Sequence, residues 1–193
     1  MLVIPAFLTT DFTTKPLRRF LDRCGYRVFG WRLGVNWGPT AARRLALRAR
    51  LEALAEREGG PISLVGVSLG GLLARDLAYD RPQAVRQVIT LASPFRLPTA
   101  STLEPLFKLM AAFYDTDLDV ARLRRPLPVP AMALYTREDG IVAWQSCVGD
   151  EPDDVAADVG GAHVTICRNP EALALVARRL AAAPGAPLPA RSA

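Results

Sequence analysis

Short apolar runs recur along the chain at residues 2–5, 27–29, 62–67, 88–91, 131–135 and 155–159. Most are uninterrupted rather than alternating, which marks strands covered on both faces, as in a parallel sheet between helices. The longer stretches between them carry helix signals. Thr14 before Lys15 and Pro16 opens a first helix running to Cys24, with Gly25 as its stop. Thr40 opens a second over residues 40–58, closed by Gly59, Gly60 and Pro61, and residues 68–79 form a third that ends at Asp80-Arg81-Pro82. Asn169 and Pro170 make a cap and first-turn pair for a last helix, on which Leu173, Val176 and Leu180 share one stripe. Strands alternating with helices of this length predict right-handed βαβ units in one α/β domain over residues 1–180, wound on a mostly parallel sheet of about six strands.

Residues 96–130 interrupt the rhythm. Leu103, Leu106, Phe107, Met110, Phe113 and Tyr114 recur there at helical spacing, which fits either a helix packed on the sheet or a small cap over a site. The Ala/Pro-rich end, residues 181–193, is expected to be a frayed tail.

Composition narrows the chemistry. Half of the 193 residues are hydrophobic and 22% are charged, the balance of a soluble domain large enough to need no disulfide or structural metal. The single histidine, His163, excludes a Cys/His zinc finger, a HExxH metalloprotease helix and any multi-histidine site, so no metal or other cofactor is expected. The net charge of +5 raises nucleic acid or an anionic membrane as partners, but Arg43, Arg44, Arg48 and Arg50 precede Glu52, Glu56 and Glu58. That pattern reads as a solvated helix face laced with opposite charges, and no nucleic-acid partner is expected. The start, MLVIPAFL, is too short for a membrane span and lacks the basic region and cleavage site of a signal peptide. The expectation is a cytoplasmic protein without stable membrane insertion; its oligomeric state is not legible.

The chemistry-bearing motif is Gly66-Val67-Ser68-Leu69-Gly70, G-x-S-x-G, set between a predicted strand and a predicted helix, with Gly71 following. A serine at a tight strand-to-helix turn is lifted above the sheet edge, and small neighbours leave room for it. The helix start behind it directs N–H groups toward developing negative charge. The same small residues would also serve a tight βα turn with no chemistry. A serine hydroxyl needs a base, and the base an orienting acid. Downstream, strand 131–135 leads into Thr136-Arg137-Glu138-Asp139-Gly140, and the next strand leads into Gly160-Gly161-Ala162-His163. This order, nucleophile then acid then histidine, each in a loop after a later strand, is the one found where a G-x-S-x-G serine serves as nucleophile on a strand-to-helix turn. Of the two adjacent acids, Asp139 occupies the loop tip before Gly140, leaving Glu138 as a solvated neighbour. An oxyanion hole would draw on the N–H of Leu69 and on the loop Pro5-Ala6-Phe7-Leu8, where Pro5 has no N–H and Phe7 is the expected donor.

These segments, together with VRQVITLASPF, DGIV at residues 139–142 and NP at 169–170, resemble the α/β-hydrolase superfamily, in particular its small bacterial lipases and esterases. The resemblance runs nearly the length of the chain. It implies Ser68, Asp139 and His163 as a triad and supports Phe7 and Leu69 as oxyanion donors. The chain departs from the pattern at Ala6, where glycine is usual, and in the text Ala162-His163-Val164-Thr165-Ile166. The usual first two strands are also missing before Leu2.

The resulting expectation is a serine hydrolase of carboxylic esters, acting on a small-molecule or lipid ester. Phe107, Met110, Phe113 and Trp144 are candidate walls of an apolar acyl pocket. A thioesterase or acyltransferase on the same triad, or a noncatalytic binding protein on the same scaffold, are the alternatives. Cys147 and Cys167 follow the acid and base loops, close enough in the scheme to bridge, but unpaired packing as small hydrophobes is expected, and Cys24 reads as a helix-end core residue.

Overall fold

Among the described residues six strands form one sheet in the order β2-β1-β3-β4-β5-β6, and every neighbouring pair is parallel. The strands are β1 Leu2–Ile4, β2 Phe29–Gly30, β3 Ile62–Val67, β4 Val85–Leu91, β5 Ala131–Tyr135 and β6 Val155–Asp158. The helices are α1 Lys15–Arg23, α2 Ala41–Glu58, α3 Leu69–Asp80, α4 Val120–Leu123 and α5 Pro170–Ala181. The computed structural model describes residues 1–96, 118–149 and 155–183. Phe107, Met110 and Phe113, most of the cap segment and most of the tail lie outside the described residues.

Side chains that alternate along each strand point to opposite faces, and the two faces build separate cores. Val3, Val65, Ile89, Met132 and Leu134 meet Leu17 and Leu21 of α1 and Leu175, Val176 and Leu180 of α5. Leu2, Ile4, Leu64 and Val88 meet Leu47, Leu51 and Leu54 of α2 and Leu73 and Leu77 of α3. A strand that feeds two cores must be apolar at consecutive positions, which is why β3 is buried along its whole length.

Helix ends follow local chemistry. Thr40 accepts the N–H of Arg43, Asn169 accepts that of Ala172, and Gly59 takes the left-handed conformation after α2. Thr14 behaves differently from its sequence reading: it is fully buried, and its hydroxyl donates to the Asp11 carbonyl and receives Nε–H of Arg18 instead of capping α1. Cys24 is a second correction. It lies exposed at the end of α1, because Leu21 and Leu17 turn the buried face of that helix away from it. The arginine cluster of α2 is also less solvated than its spacing suggests. Arg50 donates to the Gly30 carbonyl, and Arg44 pairs with the buried Asp76 of α3 at 2.7 Å. Asp76 and Asp80 also hold Arg122 of α4, and buried Arg75 donates to the carbonyls of Leu123 and Arg125. The chain around α4 is thereby tied to the outer side of α3.

The connection from β1 leads outward to β2, and the connection from β2 crosses back to place β3 on the other side of β1. The reversal falls between β1 and β3, and in open parallel sheets the crevice beyond such a reversal, at the carboxyl ends of the strands, is where ligands bind.

Candidate active site

The loops after β1, β3, β5 and β6 all leave the sheet at that edge. Main-chain bonds continue past the strand ends from Ser68 N–H to the Leu91 carbonyl, from Ala92 N–H to Leu134 and from Val159 N–H to Tyr135, so the loops start level with one another.

Ser68 stands between β3 and α3 with φ +52° and ψ −122°, a conformation strongly disfavoured for a residue with a Cβ. Glycine makes the turn possible on either side. A Cβ on Gly66 would overlap the backbone of Gly70 and Gly71, and one on Gly71 would overlap the Ser93 side chain. A Cβ on Gly70 would overlap the carbonyls of Ile4 and Pro5, so the first turn of α3 sits directly against the loop that leaves β1. Phe7 of that loop and Leu69 of α3 pack into one apolar cluster with Leu72, Phe95, Leu123 and Ala133.

Asp139 and His163 are brought together. Nδ1 of His163 lies 2.9 and 2.8 Å from the two carboxylate oxygens of Asp139, and the His163 N–H donates to the Asp139 carbonyl at 3.1 Å. Both residues are buried, as is Ser68. The carboxylate is itself held: Oδ1 accepts from the N–H groups of Ile141 and Val142 at 3.0 and 2.7 Å. A carboxylate that accepts from two N–H groups and the imidazole is compensated for its burial.

Glu138 is exposed and turned elsewhere. Its carboxylate accepts from the N–H of Gly161, while the Thr136 hydroxyl donates to the Gly161 carbonyl at 2.5 Å. Two residues of the acid loop therefore grip Gly161 of the histidine loop, one at its N–H and one at its carbonyl. Trp144 lies beside the acid loop, its ring stacked on Tyr135 at 5.4 Å between centroids and capped by the Arg137 guanidinium at 4.9 Å.

Asn36 and Thr136 escaped the sequence reading. Asn36 is fully buried in the loop after β2, and its amide donates to the Pro5 carbonyl at 2.8 Å. The sequence signal was slight: a polar residue inside Gly34-Val35-Asn36-Trp37-Gly38, whose flanking glycines hint at a tightly folded loop.

Cys147 and Cys167 are free and buried, and burial pushes both thiols up to about 12. Such thiols stay protonated and do not serve as nucleophiles at neutral pH. Among the described residues no group of three or more His, Cys, Asp or Glu side chains converges as a metal site would require. No helix among them is long and apolar enough to cross a membrane.

No protein-family model matches the chain, and no curated protein matches it. Solved structures do. Lipase B of Aspergillus fumigatus superposes with a TM-score of 0.70 at 16% identity, covering 96% of this chain and 53% of that one. The chain thus spans about half the length of that lipase. The mature lipase BlEst2 of Bacillus licheniformis gives a TM-score of 0.64 at 16% identity over 87% of this chain and 86% of its own. The monoacylglycerol lipase of Paleococcus ferrophilus gives 0.63 at 15% identity over 93% and 91%. With its parallel sheet, its strained strand-to-helix turn and these likenesses, the chain has the α/β-hydrolase fold.

Proposed function

We propose that the chain is a serine hydrolase of carboxylic esters. The observation that carries this reading is the buried Asp139–His163 pair, held at the sheet edge from which a strained turn presents Ser68. Asp139 keeps the proton on Nδ1, which leaves Nε2 as the base. Ser68 Oγ attacks the acyl carbonyl as its proton passes to Nε2 of His163. The oxyanion is met by main-chain N–H groups of Leu69 and of Phe7, in the loop against which Gly70 is packed. Collapse of the tetrahedral species breaks the bond to the leaving oxygen, which takes the proton from His163. Water, deprotonated by His163, then releases the acid from the acyl-enzyme.

An apolar substrate suits the rim. Leu8, Trp37 and Val164 are exposed on loops that follow β1, β2 and β6 at this edge, and Val164 adjoins His163. The structural neighbours named as lipases favour esters over other acyl compounds. The test is a hydrolysis profile across p-nitrophenyl esters of increasing acyl length, with thioesters and alcohol acceptors in parallel and Ser68→Ala as control. Ester turnover lost in Ser68→Ala is the expected result; faster thioester cleavage or net acyl transfer would replace the ester reading.

A further inference from the structure

We propose that Asn36 is a positioning residue that sets the oxyanion loop against the nucleophile turn; this rests on the hydrolase reading above. Asn36 has no solvent exposure, lies outside the sheet and spends every polar group it has. Its side-chain amide donates to the Pro5 carbonyl at 2.8 Å and its Oδ1 accepts from the Gly38 N–H at 3.2 Å. A carbonyl only accepts and an N–H only donates, so these two partners fix which way the amide faces. The main chain of Asn36 then closes on the same loop from the far side. Its carbonyl accepts the N–H of Leu8 at 2.8 Å, and its N–H donates to the Thr9 carbonyl at 2.8 Å. One residue therefore grips Pro5 on one side of Ala6 and Phe7, and Leu8 and Thr9 on the other.

Two further features give the grip a direction. Leu8 is held at φ +57°, a left-handed conformation that a leucine keeps only when its surroundings impose it, and its N–H is the group bonded to Asn36. The Pro5 carbonyl that receives the Asn36 amide is also one of the two against which Gly70 packs without room for a Cβ. The Pro5 carbonyl is thus fixed between Asn36 and the first turn of α3, and α3 begins with Leu69, the other oxyanion donor of the proposed mechanism. Oxyanion stabilisation depends on donors fixed before the charge develops, and a displacement of about 1 Å is enough to lose much of it. The Asp139–His163 pair shares none of these bonds.

That separation makes the role testable. Asn36→Ala removes the side-chain grip; Asn36→Asp keeps the acceptor for Gly38 and replaces the donor to Pro5 with an oxygen. Each variant is assayed on an ester, with a fluorophosphonate titration counting competent Ser68. The expected result is a loss of about tenfold or more in kcat per titrated serine, with KM within about threefold and the pH profile of kcat/KM unmoved. A purely structural asparagine would lower the titrated fraction and the melting temperature while leaving kcat per titrated serine within twofold of the unaltered chain, and that result overturns the proposal. Amide exchange in the unaltered chain gives a second test that needs no variant to fold. Leu8 and Asn36 N–H groups are expected to exchange as slowly as those of β3; exchange at open-loop rates overturns the proposal. An unaltered chain that neither cleaves esters nor takes the label overturns the hydrolase reading itself and is recognised before any variant is made.

Discussion

Asp139 Oδ1 is shared: it accepts from the Ile141 and Val142 N–H groups while lying 2.9 Å from Nδ1 of His163. This sharing predicts what an amide would do in its place. In Asp139→Asn the oxygen stays with the two loop N–H groups, and the NH2 turns toward Nδ1 of His163. The imidazole is then forced into the tautomer with its proton on Nε2, where a base is needed. The expected loss is on the order of 10⁴-fold in kcat with the fold retained, read from ester kinetics beside a thermal melt. Activity within tenfold of the unaltered chain would remove Asp139 from the mechanism.

Glu138 and Thr136 separate by the same reasoning. The Glu138 bond to Gly161 is exposed, where water replaces it at little cost. Glu138→Ala is therefore expected to stay within about threefold of full activity. Thr136 is buried, donates to the Gly161 carbonyl and accepts from the Glu138 N–H. Thr136→Val leaves those groups unpaired, at a cost of about 1–3 kcal/mol, and should lower kcat several-fold through the displaced histidine loop. Equal effects of the two substitutions, in denaturant titrations and kinetics, would contradict this division.

Gly66 and Gly60 form a contrasting pair. A methyl on Gly66 meets backbone that has no room to move, whereas one on Gly60 meets nothing within 4 Å. Gly66→Ala is expected to cost about 3 kcal/mol or more and Gly60→Ala to stay within about 0.5 kcal/mol. Urea melts of both variants check this, and a well-folded Gly66→Ala would mean that the turn is packed otherwise.

Two buried thiols give a pH signature. Burial raises Cys147 and Cys167 from 9.0 to about 12 in the folded chain. The unfolded chain therefore loses these protons first, and their contribution to stability is full below pH 9 and declines as pH rises toward 12. At pH 10 the decline is about 1 kcal/mol per thiol. Replacing either by alanine should flatten the fall in stability between pH 9 and 11. A thiol reagent at neutral pH should modify only Cys24 in the folded chain, and reaction of Cys147 or Cys167 at the same rate would show that they are not enclosed.

Much of the frame was legible because two flanking cores force strands into unbroken apolar runs. The exceptions show where that signal fails. β4 begins at Val85, ahead of the apolar run at 88–91, because Gln87 is buried within it and bonds Ser63 across the sheet. A buried polar residue whose amide donates to a neighbouring strand looks like a break in the pattern. Thr14 beside Pro16 has the spelling of a cap, but Asp11 and Arg18 claim its hydroxyl. At the site, Ser68 and His163 could be singled out from local motif and chain order. Asn36 could not, since its partner Pro5 is 31 residues away and only the fold brings them together.

The proposed mechanism makes Ser68 a nucleophile activated by His163, the only histidine in the chain. Fluorophosphonate labelling of the folded protein, located by mass spectrometry, tests it most directly. The prediction is one label per chain on Ser68, with labelling abolished in Ser68→Ala and slowed by orders of magnitude in His163→Ala, since no other imidazole is present to substitute. A folded chain that takes no label at Ser68, or that labels as fast without His163 as with it, would contradict the account.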